Sequence, residues 1–192
     1  MKNLQKNSGV AKGSIYDVAN SQNSKPEEIL TDADIVVMLD ISGSMADRQL
    51  NGQTRYEKAV EALDDLQRAF PGRIALVTFN DRAALELSGI PSIPSGMTNV
   101  YDALSIAKTF DGLSTKFYLI SDGQPNVRSE QETIDLASTF IDPINCIFIG
   151  EDHDRMGIGF MEKLARVTKG TNAGRIDVKL LGQTIKLLVT NE

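Results

Sequence analysis

Three oxygen-bearing side chains stand at alternate positions, Asp40, Ser42 and Ser44, directly after the apolar run Ile35-Val36-Val37-Met38-Leu39. In extended chain, residues two apart project to the same side, so this spacing lets three oxygens converge on one point. Gly43 allows a tight backbone turn between the two serines. One carboxylate and two hydroxyls are hard donors that suit Mg²⁺ or Mn²⁺ rather than a soft metal. The same residues could instead cap a helix or form a polar loop, so the metal reading needs donors from elsewhere. Two are available. Thr98 follows a Pro/Gly/Ser-rich stretch over residues 88–96, where by itself it would serve as a helix N-cap. Asp122 follows the run Lys116-Phe117-Tyr118-Leu119-Ile120-Ser121, where by itself it would open a turn before Gly123.

The elements that must position these side chains are legible from periodicity. Short apolar runs at residues 35–39, 73–79, 116–120 and 144–149 have the length and composition of strands buried on both faces. Between them lie amphipathic helical patterns. The first covers about residues 54–70, with Tyr56, Ala59, Val60, Leu63, Leu66 and Phe70 on one face and Glu57, Lys58, Asp64, Gln67 and Arg68 opposite, and Pro71-Gly72 ends it. The second begins near Val100, and a third covers about residues 130–141. A short helix is expected near residues 160–168, a last strand at residues 175–178 and a closing helix over residues 179–189. Asn80-Asp81 reads as a turn into residues 83–87, a short antiparallel edge strand. Strands alternating with helices give a doubly wound, Rossmann-like α/β fold: a mostly parallel sheet with helices on both faces. In such sheets ligands sit beyond the carboxyl ends of the strands, where Asp40 and Asp122 both fall.

Composition bounds the function. The 192 residues carry a net charge of −6, without the basic stripe that a sequence-independent nucleic-acid binder needs. No segment is long and apolar enough to cross a bilayer, and the N-terminus lacks the apolar core of a signal peptide. A single cysteine, Cys146, lies within an apolar run, which points to a reducing, cytoplasmic setting. Residues 1–32 are rich in Ser, Asn, Lys and Gln and read as a flexible or weakly docked polar tail, with the domain spanning residues 33–192. The acidic loop Glu151-Asp152-His153-Asp154 holds the only histidine and reads as solvated surface.

Taken together, Asp40-Ile41-Ser42-Gly43-Ser44, Thr98 within Gly96-Met97-Thr98-Asn99 and Asp122 within Ile120-Ser121-Asp122-Gly123 resemble the metal-ion-dependent adhesion site of von Willebrand factor A domains. The resemblance covers about residues 34–189. It implies a Mg²⁺ held by Ser42, Ser44 and Thr98, with Asp40 and Asp122 acting directly or through water. Mn²⁺ is the expected substitute. A remaining coordination position would take water or an Asp or Glu from a partner protein. Met97 before Thr98 and Ser121 before Asp122 depart from the common pattern without removing a ligand. The disulfide-free chain resembles prokaryotic intracellular members, several of which work beside AAA+ ATPases or in metal-related complexes.

The expected function is therefore a Mg²⁺-dependent protein-binding module without catalysis. The rival is a phosphotransferase or phosphatase with Asp40 as nucleophile beside Mg²⁺. Haloacid-dehalogenase-type enzymes carry D-x-D-x-T, whereas position 42 here is Ser, so the general acid/base carboxylate is missing. No Gly-rich phosphate loop and no Ser/His/Asp set around His153 is present.

Overall fold

The computed structural model describes residues 9–48, 52–150 and 153–175, together with residues 183, 186 and 187. The apolar runs become strands of one six-stranded sheet in the order β3-β2-β1-β4-β5-β6. These are β1 (Ile35–Asp40), β2 (Ile74–Phe79), β3 (Ala83–Leu85), β4 (Lys116–Ser121), β5 (Ile144–Phe148) and β6 (Asn172–Arg175). All pairings are parallel except β2 with β3, which forms the expected antiparallel edge through Val77↔Leu85 and Phe79↔Ala83. The Rossmann-like α/β expectation holds.

Strands β1, β2 and β5 are buried along their whole length and β4 beyond Lys116, and alternate side chains feed two cores. Val36 and Met38 enter one core, packed against α4 (Val100–Ala107), α5 (Glu130–Ala137) and α6 (Arg155–Val167). Ile35, Val37 and Leu39 enter the other, covered by α3 (Arg55–Ala69) through Ala59, Ala62, Leu63 and Leu66. Strand β1 lies at the centre of the sheet, between β2 and β4. The chain leaves β1 towards β2 on one side and returns to β4 on the other. The loops after β1 and β4 therefore diverge, opening a crevice at their carboxyl ends.

The structure corrects the N-terminal expectation. Residues 9–31 are not a flexible tail: they form α1 (Ile15–Gln22) and α2 (Pro26–Thr31), seated on the sheet's helical layer. Ile15 and Ala19 are each 1% exposed within the core. Backbone bonds from Ala11 N to Ser88 O, Tyr16 N to Leu87 O and Gly72 N to Gly13 O fasten the segment down. Gly13 has φ +82°, and any Cβ there would overlap the Gln67 carbonyl. The remainder of the assigned tail, residues 1–8, lies outside the described residues. This covering segment also explains why Gln67, expected on the solvent face of α3, is buried and donates to Gly89 O at 3.0 Å. Lys58, expected on the same outer face, is buried as well.

The last strand starts earlier than expected, at Asn172 instead of residue 175, and pairs with β5, while residues 176–178 of the expected strand lie outside the described residues. Asn145 sets this register: its Oδ1 accepts from both Thr171 N (2.9 Å) and Thr171 Oγ1 (2.7 Å), while Cys146 N donates to Thr171 O. The helix expected near residues 160–168 is longer, beginning at Arg155 under an Asp154 cap. The closing helix expected over residues 179–189 lies outside the described residues, apart from residues 183, 186 and 187, which are helical.

The N-terminal helices make a direct stability prediction. Ile15→Ala should destabilise the protein by about 3 kcal/mol in denaturant titrations, as for a core isoleucine. A loss below about 0.5 kcal/mol would return the segment to the status of a weakly docked tail.

Candidate metal centre

Asp40 is the last residue of β1 and is fully buried. Its Oδ1 accepts from Ser42 N at 2.8 Å and its Oδ2 from Ser121 Oγ at 2.6 Å. The first bond folds the chain back over the carboxylate after the strand ends. A 3₁₀ turn over Gly43–Ala46 follows and brings Ser44 round beside Ser42, their hydroxyls 3.2 Å apart. Ser44 Oγ donates to Asp122 Oδ1 at 2.8 Å, joining the tip of β1 to the tip of β4. Asp122 follows directly on Ser121, the last residue of β4, and its side chain is fully buried.

Thr98 arrives by a loop that is tied to the first two. Ser95 N donates to Ile41 O, and Gly43 N donates to Gly96 O. Gly96 has φ +74°, and a Cβ there would overlap Asp81 Oδ2. Asp81 Oδ1 in turn accepts from Met97 N at 3.2 Å. Thr98 is not the helix cap that the sequence allows. Asn99 caps α4, its Oδ1 accepting from Asp102 N. Thr98 is 5% exposed, and its backbone forms a reciprocal pair with Asn126, whose Oδ1 accepts from Thr98 N at 2.7 Å. Among the described residues its hydroxyl has no hydrogen-bond partner.

The loops after β1, after β3 and after β4 are thus cross-braced, and Asp40, Ser42, Ser44, Thr98 and Asp122 are gathered at the carboxyl edge of the sheet. Three contributors were not picked out from sequence. Ser121, noted only as a departure from pattern, holds Asp40. Asn126 ties the Thr98 loop to the loop after β4. Arg55, at the first position of α3, donates from Nη1 to Asp122 Oδ2 at 2.6 Å while only 7% exposed. Its signal was position: the first residue after a capping Thr54 points back towards the preceding loop. His153 is exposed, and residues 151 and 152 lie outside the described residues. Among the described residues no cluster of three or more His, Cys, Asp or Glu forms a separate metal site.

Electrostatically the centre is short of positive charge. Burial first, and the nearby Asp122 second, raise the Asp40 carboxyl from its ordinary 3.8 to about 7. The bonds from Ser121 and Ser42 offset this only in part. A hard divalent cation fits both deficits. It would relieve the repulsion between the carboxylates and accept the lone pair of the Thr98 hydroxyl, which has no other partner among the described residues.

This geometry fixes the pH behaviour of the metal-free protein. Asp40 has a folded pKa of about 7, above the unfolded value of 3.8. Its contribution is therefore fully favourable below about pH 4 and is lost as pH rises towards 7. Asp40→Asn, which keeps the shape and can still accept a bond, should flatten that part of the stability–pH curve in EDTA. An unchanged slope between about pH 4 and 7 would show that Asp40 is not the buried titrating group. Asp40→Ala is the poorer probe, because it strands Ser42 N–H and the Ser121 hydroxyl.

No protein-family model matches the chain, and no curated protein matches it. Solved structures do. An aerotolerance-related membrane protein from Bacteroides fragilis aligns with a TM-score of 0.60 and 15% identity, covering 83% of this chain and 100% of that one. BatB from Bacteroides thetaiotaomicron aligns at 0.54 and 18%, over 82% and 98% of the two chains. Manganese-loaded TRAP protein from Plasmodium vivax aligns at 0.56 and 15%, over 83% and 74%. At these identities the likeness speaks to the fold alone, and the fold is von Willebrand factor A-like.

Proposed function

We propose that this chain is a Mg²⁺-dependent protein-binding module with a metal-ion-dependent adhesion site. Ser42, Ser44 and Thr98 hold the ion, Asp40 and Asp122 face it directly or through water, and an Asp or Glu of a partner protein completes its coordination. The observation that carries this reading is buried Asp40, a carboxylate without a cationic partner among the described residues, with Ser42, Ser44 and Asp122 linked by hydrogen bonds beside it and the Thr98 loop braced to the same turn. When bound, the ion supplies a Lewis-acid site for a carboxylate. The protein's own residues orient the hydroxyls, shield the carboxylates from bulk water and present the site on a braced rim. Mn²⁺ is the natural substitute, and the manganese-loaded TRAP structure supports a divalent ion in this fold.

The rim suits a protein surface. Ile93 (80% exposed), Met97 (47%) and Val127 (41%) stand on the loops after β3 and β4. Arg128 lies over the Tyr101 ring nearby, and Arg48 donates to Gly52 O on the loop after β1. The polar site and apolar rim match the anatomy of protein interfaces. The net charge of −6 supports neither nucleic-acid nor anionic-membrane binding. No helix among the described residues is long and apolar enough to cross a membrane. A cytoplasmic setting rests on Cys146, buried and with its thiol pushed well above the usual range by burial. Association with an AAA+ ATPase or a metal-related complex rests on the family resemblance alone.

The enzymatic alternative would make Asp40 a nucleophile. Both of its oxygens accept hydrogen bonds and it is fully buried, which favours a supporting role over attack on a substrate. Mg²⁺-dependent phosphate release from common phosphomonoesters, abolished in Asp40→Asn, would overturn the non-catalytic reading.

Mg²⁺ should raise the melting temperature, contributing about 2.7 kcal/mol when present at 100 times its dissociation constant. Partner capture should vanish in EDTA, return with Mg²⁺ or Mn²⁺ better than with Ca²⁺, and fail in Thr98→Ala with the fold intact. One acidic residue of the partner, changed to Asn or Gln, should remove most of the affinity. Capture that persists in EDTA and in Thr98→Ala would place the partner surface elsewhere.

A further inference from the structure

The two acidic groups of the centre are not equivalent, and the difference comes from Arg55. Asp122 has both oxygens engaged: Oδ1 accepts from Ser44 Oγ at 2.8 Å and Oδ2 from Arg55 Nη1 at 2.6 Å. The same Nη1 lies 3.3 Å from Ser44 O and 3.8 Å from Asp47 Oδ2, so the guanidinium is anchored to the β1 loop as well as to Asp122. Arg55 and Asp122 are both buried, at 7% and 5% exposed, so their attraction is weakly screened. Asp40 has only a backbone N–H and a serine hydroxyl against it.

Charge counting then separates two loaded states. With Asp40, Asp122 and Arg55 charged, the empty cluster has one excess negative charge, and a divalent cation turns this into one excess positive charge. Without the guanidinium the loaded cluster would be neutral and Asp122 Oδ2 would be released towards the ion. A Ser44 hydroxyl can give its proton to Asp122 and its lone pair to a metal at once, so the observed bond already suits an Asp122 that acts from behind Ser44.

We propose that Arg55 is a positioning residue that holds Asp122 off the metal, so that the loaded centre keeps net positive charge and takes an anion as its remaining ligand. This rests on the metal reading above. Arg55 thereby gives up ion affinity for appetite towards a carboxylate. Any Asp or Glu side chain meets this requirement, and so does free acetate.

The test uses Mn²⁺ as the probe on the full chain, with free ion counted by electron paramagnetic resonance and bound water by proton relaxation. Arg55→Gln should bind Mn²⁺ about tenfold more tightly than the wild type, with fewer exchanging waters on the ion, as Asp122 moves in. Acetate should tighten Mn²⁺ binding to the wild type and not to Arg55→Gln, because coupling between two ligands is reciprocal. Arg55→Lys, which keeps the charge, should stay within about threefold of the wild type. In an Asp122→Asn background, Arg55→Gln should no longer tighten Mn²⁺. Arg55→Met serves as a second neutral variant should Arg55→Gln not fold. A folded neutral variant that binds Mn²⁺ no more tightly, or that tightens equally without the Asp122 charge, overturns the role of Arg55 and leaves the metal reading standing. A wild type that binds no Mn²⁺ overturns both.

Discussion

A carboxylate buried at the tip of the central strand is the constraint on which the rest of the structure depends. Asp40 sits where β1 leaves the sheet, out of reach of bulk water, with a second acidic group at the tip of the neighbouring strand. Burying such a group costs several kcal/mol unless it is neutralised or solvated by the protein. The molecule answers with Ser42 N–H, the Ser121 hydroxyl and, for Asp122, the Ser44 hydroxyl and Arg55. These bonds hold the loop after β1 against the tip of β4. The price is a centre that remains short of positive charge, which is what a hard cation in the proposed site would supply.

Topology makes this possible. A strand flanked on both sides by parallel neighbours places three consecutive strand tips on one edge, and the reversal of chain direction across β1 keeps the loops from covering it. The β2–β3 hairpin adds Asp81, which holds the loop that carries Thr98. A site assembled from three separate loops can be rigid only if the loops are bonded to one another. Here backbone pairs between Gly43 and Gly96, and between Thr98 and Asn126, do so.

Much of this was legible in the sequence, for physical reasons that differ by element. Doubly buried strands announce themselves as short apolar runs, and the spacing of Asp40, Ser42 and Ser44 marks the site, although a fold-back after Asp40 and the 3₁₀ turn over Gly43–Ala46, not extended chain, bring the oxygens together. The N-terminal helices were illegible as core because each anchors through one or two apolar residues, Ile15 and Ala19 or Ile29, in an otherwise polar stretch. Their capping was nonetheless written there: Ser14 ahead of Asp17, and Pro26 ahead of Glu27 and Glu28. Gln67 reads as solvent-facing from periodicity because the N-terminal segment that covers that flank of α3 is itself illegible as core. Arg55 could not be found by periodicity, since its partner Asp122 lies 67 residues away. The start of β6 depended on Asn145 bonding Thr171, a contact between side chains that no local pattern encodes.

The central claim is that the hydroxyls of Ser42, Ser44 and Thr98, backed by Asp40 and Asp122, and not a loop elsewhere, hold a divalent ion. Its most direct test is a crystal soaked in Mn²⁺ and measured at the manganese absorption edge. The account predicts a single strong anomalous peak within about 2.5 Å of the hydroxyls of Ser42, Ser44 and Thr98, lost when EDTA is added. A peak confined to surface carboxylates, with no ion beside the hydroxyls of Ser42, Ser44 and Thr98, would contradict it.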